Sequence, residues 1–553
     1  GLIAIFLASA LLRFWGLGRF NTLVFDEVYY AKFANNYLTG TEFFNAHPPL
    51  SQYIIAIGMW LGSHFPWDQQ SMNGLAGSLR STWSYRWLNA LTGSFIPLVV
   101  AGIAYQLNRR RSYALIAALL AGADGLFLVE SRYALNNVYL VILGLLGNLC
   151  LLIALNQSQS KHWIILALSG AFFGASACIK WNGLWFLFGL YLLWGMAWLL
   201  QWRREGSNFK LGVGAGLFTS RSKRDDSRDW VGAGLFTSRS KRDDSRDWVG
   251  AGLFTSGSKR DDSRDWVGAG LFTSGSKRDD SCETRPYKPC PPAQRRVNTQ
   301  NSTLKTPLVN LTQLNGIQFL VNFALIPALT YSLLWIPHLI MNPQPGFLEA
   351  HYRILTFHEK IGSGSDVHPY CSKWYTWLIM LRPVAYFYQT AQSTREQVPA
   401  YPPLPKGYGQ VVYDVHAMGN PILWWLSTAA ILLLLLLLLQ RLWSGMRGYF
   451  PPTTVNYISL YLGLNWLAQL LPWIGVSRCT FLYHYMGASV FSGLGLAWLI
   501  DRWLHREQES WQIAAITVIS LILLAFVFWL PIYLGLPLSP EGHQLRMWFR
   551  SWI

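Results

Sequence analysis

The sequence predicts an all-α polytopic membrane protein, and three observations lead to that fold class. Of the 553 residues, 52% are hydrophobic and only 13% are charged, which is about half the charged share of an average soluble domain. The apolar residues form runs long enough for a helix to cross a bilayer, which takes roughly 20 residues. Many of the 28 Trp are interpreted as interface anchors. These features exclude a secreted disulfide scaffold, a disordered chain and a cytosolic nucleotide enzyme.

Eleven apolar runs predict transmembrane helices. They cover residues 1–14, 87–107, 112–129, 137–155, 163–179, 182–201, 316–340, 421–440, 453–472, 480–500 and 511–533. If these spans alternate, the short basic loops all fall on one side, which the positive-inside rule assigns to the cytoplasm. The N-terminus is then cytoplasmic and the C-terminus lies on the opposite side. Because an apolar run is already in progress at Gly1, we expect the natural chain to begin upstream.

Two long segments, 15–86 and 341–420, fall on the outward side, and we expect a functional site to be assembled there. Each contains an amphipathic stretch, at 50–62 and at 373–389, of the kind that suits a helix lying in the membrane interface. The net charge of +17 is explained by the cytoplasmic loops. No nucleic-acid partner is therefore expected.

An insert at 203–315 separates an N-terminal transmembrane module, 1–202, from a C-terminal one, 316–553. Four copies of an 18-residue repeat fill residues 213–284. The copies are nearly identical, which indicates recent duplication rather than a stacked solenoid. Their Gly, Ser and balanced charges predict a disordered cytoplasmic loop. A regulatory or docking arm is the alternative.

The six cysteines show neither a CxxC pair nor metal-ligand spacing. We therefore expect no disulfide framework and no zinc site. Cys150 and Cys178 lie in apolar runs and are predicted core residues, while Cys282 and Cys290 belong to the insert and are expected to be reduced. No divalent metal or other cofactor is expected, because the remaining possible ligands fit no pattern: His351, Asp366 and His368.

Charged residues gather where the outward segments meet the spans. Asp26 and Glu27 follow the first span directly, although acidic side chains near the hydrocarbon are costly. Cations occur at the outer ends of other spans against the positive-inside bias: Arg86, Arg132, Lys180, Lys373, Arg382 and Arg478. An anionic ligand at the outer membrane surface would account for both features. The alternatives are that the carboxylates simply lie in water and that Lys180 extends to the interface.

Carboxylates facing cations at the lipid boundary suit the transfer of a sugar from a lipid-linked phosphate. A carboxylate can remove the proton of an attacking hydroxyl, and Arg or Lys can stabilise the departing phosphate. Because that phosphate is already a weak base, no strong general acid is required. One carboxylate dyad could then suffice, without the two opposed carboxylates of a glycoside hydrolase.

At these residues the chain resembles the protein O-mannosyltransferases, membrane enzymes that move mannose from polyprenyl or dolichyl phosphate to proteins. The matching residues and segments are spread over nearly the whole chain outside the insert: Arg13, Arg86, 25–30, 47–50, 131–133, 180–184, 372–377, 382–383, 419–421 and 481–485. The resemblance implies a membrane glycosyltransferase (GT-C-like) architecture. It also implies residence in the plasma (inner) membrane with the active site on the periplasmic side.

The resemblance further implies roles for individual residues. Asp26 would be the base that activates a Ser or Thr hydroxyl, and Glu27 would orient it or contact the acceptor backbone. His47 would shape the first outward loop against the donor. Cations would hold that loop or the donor phosphate, the candidates being Arg13, Arg86, Arg132, Lys373, Arg382 and Arg478. The expected partners are a polyprenyl-phosphate sugar, a Ser/Thr-containing acceptor protein and membrane lipids, with the protein export machinery as a further candidate; transfer would invert the sugar anomer.

The chain departs from the family in ways that bear on its substrates. Segment 341–420 has no room for the β-trefoil domain of eukaryotic members, which indicates a bacterial short form. Asn136 and Asn137 stand where other members often have an acidic residue. His484 is expected to be a packed residue rather than a catalyst. The alternatives are a transferase acting on a lipid or envelope glycan and, less favoured, a transporter, whose polar groups would lie at mid-membrane.

Overall fold

The computed structural model describes residues 1–65, 71–157, 162–215, 307–391, 411–445 and 454–552, without the side chains of 203–215, 307–309, 444–445 and 454–456. The chain divides into two compact units, one of Gly1–Gly206 with Lys305–Ile553 and one of Ser207–Leu304. Residues 216–306 lie outside the described residues. They include all but the first three residues of the repeats, so the disorder predicted for the repeats is not described. They also include Cys282 and Cys290.

The first unit is built almost entirely from helices. In its N-terminal half they are α1 (Leu2–Phe14), α2 (Glu27–Thr39), α3 (Leu50–Gly62), α4 (Thr82–Asn108), α5 (Arg111–Gly122), α6 (Gly125–Glu130), α7 (Asn137–Asn156), α8 (His162–Ala177) and α9 (Leu184–Ala215), which runs on into the second unit. The later helices are α10 (Pro307–Thr312), α11 (Gly316–Leu320), α12 (Ile326–Met341), α13 (Phe347–Lys360), α14 (Trp374–Trp377), α15 (Pro421–Gly445), α16 (Thr454–Leu470), α17 (Met486–Leu504), α18 (Glu509–Leu534) and α19 (Pro540–Gln544).

Each of the eleven predicted spans coincides with one helix or with consecutive helices. Within the described residues, six helical stretches are long and apolar enough to cross a membrane: Thr82–Asn108, Asn137–Asn156, Trp181–Trp202, Gly316–Met341, Pro421–Trp443 and Glu509–Leu534. Four shorter apolar helices accompany them, α1, α3, α5 and α8. The total of eleven crossings stays a prediction.

Local sequence explains where two of the apolar runs are interrupted. Asp124 divides the run at 112–129, since its side chain caps α6 by accepting a hydrogen bond from the Leu126 amide at 2.9 Å. The run at 316–340 contains a π-helical turn at Val321–Leu325 just before Pro327, which has no amide hydrogen to donate. This turn packs closely on α8, because a Cβ at Gly170 would lie 1.9 Å from the carbonyl oxygen of Asn322.

The expectation of an all-α fold is wrong in the outward segments. Two antiparallel hairpins occur there, a short one of β1 (Met72–Asn73) with β2 (Arg80–Ser81) and a longer one of β3 (Val384–Ala391) with β4 (Val411–Ala417). The predicted interfacial helix at 373–389 is therefore limited to α14. Its second half is rich in aromatic and β-branched residues, which favour a strand, and β4 buries every residue against the bundle.

The other predicted interfacial stretch, 50–62, does form a helix, α3, but it is packed inside the protein on one side. Ile55 and Met59 are fully buried, and α3 contacts both α2 and α4. Ile57 and Trp60 stay about half exposed on the opposite side. The first outward segment thus adds a layer of helices to one end of the bundle.

The cysteine spacing predicted no disulfide framework, but the described residues contain one disulfide. Cys371 and Cys479 are bonded, with their Cα atoms 5.1 Å apart and a sequence separation of 108. Next to this bond, the Ser372 amide donates to the Thr480 carbonyl at 2.8 Å. These contacts fasten the second outward segment to the connection between α16 and α17. Cys150 and Cys178 are free and buried, as predicted.

Candidate active site

A cavity of about 510 Å³ opens among the connections at one end of the bundle. Its charged groups come from three separate connections: Asp26 precedes α2, Lys180 precedes α9 and Arg478 precedes α17. Its imidazoles come from His47 before α3, His358 on α13 and His484 before α17. Aromatic rings provide much of the remaining wall, among them Phe33, Phe44, Trp181, Trp185, Phe357 and Trp473. The cavity therefore combines one carboxylate, two cations and a largely apolar lining.

Asp26 reaches this cavity because of the turn that precedes α2. Phe25 adopts a left-handed backbone conformation with φ of 52°, which is unusual for a bulky residue. Its ring stacks on Tyr386 at 4.2 Å between centroids and 10° between planes. Asp26 occupies the N-cap position of α2, but its side chain makes no capping hydrogen bond and instead lines the cavity. Burial raises the pKa of Asp26 to about 6, and the nearby Lys180 opposes that rise.

Glu27, the other half of the predicted dyad, does not line the cavity. It is fully buried and paired with Arg86, whose Nη2 lies 2.7 Å from its Oε2. The same carboxylate accepts hydrogen bonds from the Val24 amide at 2.7 Å and the Ala134 amide at 2.8 Å. Contact between Glu27 and an acceptor substrate is therefore not supported by its position. Glu27 instead holds the turn that carries Asp26.

The predicted cations Arg86 and Arg132 are also engaged away from the cavity. Arg86 donates to the carbonyl oxygens of Leu17, Phe20 and Thr22 at 2.8–3.0 Å. Arg132 donates to the carbonyl oxygens of Leu12 and Trp15, each at 2.7 Å. Of the two roles expected for these residues, holding the first outward loop fits this geometry and binding a donor phosphate does not.

Three further predicted cations lie outside the cavity lining. Arg13 is fully buried and donates to the Ser9 hydroxyl at 2.6 Å. Arg382 donates to the carbonyl oxygens of Pro369 and Ser551. Lys373 is exposed. Among the predicted phosphate-binding cations, only Arg478 lines the cavity.

Lys180, for which an interfacial position was the alternative, is instead buried and lines the cavity. Only 6% of the residue is exposed, and its Nζ donates to Asn137 Oδ1 at 2.9 Å. The ammonium group also lies 5.4 Å from the centre of the Tyr483 ring. Burial lowers the pKa of Lys180, while the charges of Asp26 and Glu130 oppose that shift.

Glu130 was not predicted as a site residue. It is fully buried at the end of α6 and accepts hydrogen bonds from Asn137 Nδ2, 3.2 Å from each of its oxygens, and from the Tyr386 hydroxyl. Burial raises the pKa of Glu130, and the Tyr386 hydrogen bond and Lys180 counteract the rise. Its position directly before the matching segment 131–133 was the only signal of its importance in the sequence.

Histidines form part of the cavity wall. Burial and the charge of Lys180 hold the pKa of His47 well below its usual range, so this imidazole is neutral. His358 pairs through Nε2 with the Ala46 carbonyl at 2.9 Å, and burial lowers its pKa to about 4. His484 is a packed residue, stacked on Trp377, that also lines the cavity.

The possible metal ligands His351, Asp366 and His368 do not form a metal site. Over the described ranges, no group of three His, Cys, Asp or Glu residues is placed to hold a metal ion. His351 instead bonds through Nε2 to the Tyr331 hydroxyl at 2.7 Å. The expectation that no metal cofactor is needed stays a prediction.

Two family models match this chain, one in each half. The model described as dolichyl-phosphate-mannose-protein mannosyltransferase matches residues 3–214. The model described as the C-terminal four TMM region of protein-O-mannosyltransferase matches residues 343–552. The matched regions include every polar residue of the cavity named above.

Curated relatives and a solved structure agree with these matches. A polyprenol-phosphate-mannose–protein mannosyltransferase of Mycolicibacterium smegmatis is 24% identical, with 98% of this chain and 91% of the relative aligned. One of the same name from Corynebacterium glutamicum is 22% identical, over 100% and 92%. The S. cerevisiae protein O-mannosyltransferase complex bound to its sugar donor superposes with a TM-score of 0.66 at 14% identity, over 100% of this chain and 92% of that one. The last comparison shows a shared fold.

Proposed function

The chain belongs to the protein O-mannosyltransferase family and is a mannosyltransferase, and on that premise we propose that the cavity around Asp26 is its active site. The observation that carries this proposal is the convergence of one carboxylate with two cations, Lys180 and Arg478, in a single cavity. The names of the bacterial relatives suggest polyprenyl-phosphate mannose as donor and protein as acceptor. We infer Ser or Thr hydroxyls as the attacking groups.

In the proposed reaction, Asp26 accepts the proton of the acceptor hydroxyl while the oxygen of that hydroxyl bonds to the anomeric carbon of mannose. The bond between that carbon and the phosphate oxygen breaks, and the lipid phosphate leaves with the electron pair. A pKa near 6 keeps Asp26 ionised at neutral pH while leaving it basic enough to take a proton. Attack from the face opposite the phosphate inverts the anomeric configuration.

The leaving phosphate gains negative charge, which Lys180 and Arg478 are positioned to stabilise. Because these two side chains supply the positive charge, we propose that the reaction needs no divalent metal. The aromatic wall of the cavity offers an apolar surface for the sugar ring and for the start of the lipid tail.

We further propose that the cavity opens on the periplasmic side of the plasma membrane. The Cys371–Cys479 bond is close to the cavity, since Cys479 directly follows Arg478, and disulfides persist in oxidising compartments. The basic loops at the other end of the bundle favour a cytoplasmic position there. Proteins leaving the export machinery would then meet the active site from the outside, beside the lipids that carry the donor.

The proposal is tested with purified protein, radiolabelled polyprenyl-phosphate mannose and a Ser/Thr-containing peptide. We expect Asp26→Asn to retain donor binding and to lose transfer activity by a factor of roughly 10²–10⁴, the usual contribution of a general base. Asp366→Asn is the matched control, because Asp366 is an exposed carboxylate outside the cavity lining. Normal product formation by Asp26→Asn would refute the assignment. Label entering lipid instead of peptide would support the lipid-directed alternative.

A further inference from the structure

We propose that Glu130 is a positioning residue that fixes the placement of two side chains relative to each other, the phosphate-binding Lys180 and the base Asp26. This inference rests on the proposed function of the cavity, and it adds a residue that lies behind the cavity wall. Glu130 does not line the cavity. Glu130 is connected to Lys180 through Asn137, and to Asp26 through a separate chain of contacts that begins at Tyr386.

The hydrogen-bond geometry around Glu130 suits a carboxylate. Asn137 Nδ2 donates to both of its oxygens and the Tyr386 hydroxyl donates to Oε1, so the ionised form satisfies all three contacts, whereas a protonated form would have to use the Tyr386 hydroxyl as an acceptor. Glu130 is fully buried, and a buried charge is costly unless it is compensated. The compensating charge is the ammonium group of Lys180, which is linked to Glu130 through one amide.

The first chain of contacts leads from Glu130 to Lys180. The Asn137 amide donates through Nδ2 to both carboxylate oxygens at 3.2 Å and accepts at Oδ1 from Lys180 Nζ at 2.9 Å. An amide can serve both partners in only one orientation, since its nitrogen only donates and its oxygen only accepts. The Glu130 carboxylate therefore selects the orientation of Asn137 that presents an acceptor to Lys180.

The second chain of contacts leads from Glu130 to Asp26. The Tyr386 hydroxyl donates to Glu130, and this fixes the ring on which Phe25 stacks at 4.2 Å. Phe25 holds the left-handed backbone conformation directly before Asp26. A shift of the Tyr386 ring would therefore be transmitted through Phe25 to the direction of the Asp26 side chain.

The two chains of contacts predict different kinetic effects. Without the negative charge of Glu130, the Asn137 amide can turn over and Lys180 loses its acceptor, so that donor binding weakens. Without the Tyr386 hydroxyl, the Asp26 turn becomes less defined, so that the chemical step slows while donor binding is kept. A residue that only stabilised the fold would not separate KM from kcat in this way.

The experiment compares initial rates of peptide mannosylation by purified variants over a range of donor concentrations. We expect Glu130→Gln to raise the donor KM roughly ten- to a hundredfold, as for the loss of a charge-assisted hydrogen bond. Tyr386→Phe is expected to lower kcat about three- to tenfold with the donor KM unchanged. The matched control is Asp124→Asn, which removes another buried carboxylate from the same connection while keeping the capping acceptor for Leu126.

A rescue variant makes the test specific to the position of the charge. Glu130→Gln combined with Asn137→Asp moves the carboxylate to the side chain that contacts Lys180, and the glutamine amide can donate to it. We expect this double variant to recover most of the donor affinity lost in Glu130→Gln. A folded Glu130→Gln with the parental donor KM, or a folded double variant with no recovery, would overturn the proposal.

If Glu130→Gln does not fold, Tyr386→Phe and the double variant carry the test. Parental kcat in Tyr386→Phe, or a donor KM in the double variant raised more than about tenfold over the parent, would then overturn the proposal. Asp26→Asn is measured in the same assay. Its inactivity together with a failed Glu130 test would reject only the positioning role, whereas its full activity would reject the proposed function itself.

Discussion

Two charged regions follow the first helix side by side, and they differ in whether the protein already satisfies their charges. In the Glu27–Arg86 cluster, Arg86 donates to Glu27 and to backbone carbonyls of the first outward loop. In the cavity, Asp26, Lys180 and Arg478 face open space of about 510 Å³. The adjacent carboxylates thus have different roles. Asp26 faces the cavity, and Glu27 holds the loop that directs Asp26 towards it.

The comparison teaches that a cation near an outer helix end is not by itself a ligand-binding group. Arg86, Arg132 and Arg478 all follow the same sequence logic, but only Arg478 lines the cavity. Arg86 and Arg132 each donate to several backbone carbonyls of the first outward loop and organise it. Arg478 donates to one carbonyl, that of Cys479 at 3.1 Å, and lines the cavity, where it remains available to an anionic substrate. We therefore expect substitutions in the Glu27–Arg86 cluster to lower stability, and substitutions in the cavity to lower activity with little loss of stability.

The largest effect is expected in the Glu27–Arg86 cluster, on the free energy of unfolding. Arg86→Met leaves Glu27 buried without its partner, and we expect the free energy of unfolding to fall by about 3–5 kcal/mol. Thermal unfolding in detergent, followed by intrinsic tryptophan fluorescence, measures this loss. Arg86→Met combined with Glu27→Met removes both charges and should regain much of the stability. A single Arg86→Met variant with parental stability would mean that the buried pair contributes little.

The second effect is expected in the cavity and should appear in binding rather than in stability. Arg478→Ala removes a cation from the cavity, and we expect the donor KM to rise roughly ten- to a hundredfold with little change in unfolding temperature. Lys373→Ala is the control, because Lys373 is exposed and outside the cavity lining. Equal effects of the two variants on the donor KM would show that position in the cavity does not select the phosphate-binding cation.

A third prediction concerns the pH dependence of transfer. Asp26 must be ionised to accept a proton, so kcat/KM should fall about tenfold per pH unit below a pKa of about 6. Lys180 lowers that pKa, so Lys180→Met should move the acidic limb of the profile to higher pH. The control is Lys360→Met, an exposed lysine outside the cavity lining. An acidic limb that stays in place in Lys180→Met would argue against Asp26 as the titrating group.

The smallest effect is expected far along the chain from both regions. Excision of residues 213–284 should leave the donor KM and kcat within about twofold of the parent, because the cavity is lined by residues of the Gly1–Gly206 and Lys305–Ile553 unit. Peptide mannosylation by the shortened protein measures this. A folded but inactive deletion variant would assign the repeats a part in catalysis or regulation.

Sequence reasoning predicted the helical elements well, because an apolar run of sufficient length is a strong local signal. It also singled out Asp26, which lines the cavity, while its role as the base stays a prediction. It did not separate Arg86 from Arg478, because that difference depends on packing. Arg86 meets Glu27 across 59 residues of sequence, and no local pattern reports such a contact.

The missed features share this dependence on distant contacts. Tyr386 reaches Glu130 across 256 residues, and Cys371 reaches Cys479 across 108. Spacing rules detect ligands and cysteines that are close in sequence, so neither pair gave a signal. The strand Val384–Ala391 was mistaken for an interfacial helix because both conformations suit a mixed aromatic and polar stretch, and its pairing with Val411–Ala417 decided between them.

The left-handed backbone of Phe25 has a consequence for protein engineering. Glycine or asparagine would adopt φ of 52° with less strain than an aromatic residue, so a screen for thermal robustness could favour either one. Both replacements would discard the ring stacked on Tyr386 and loosen the turn before Asp26. Variants selected for thermal stability alone are then expected to have a lower kcat, so that the trade-off between stability and activity depends on one backbone angle.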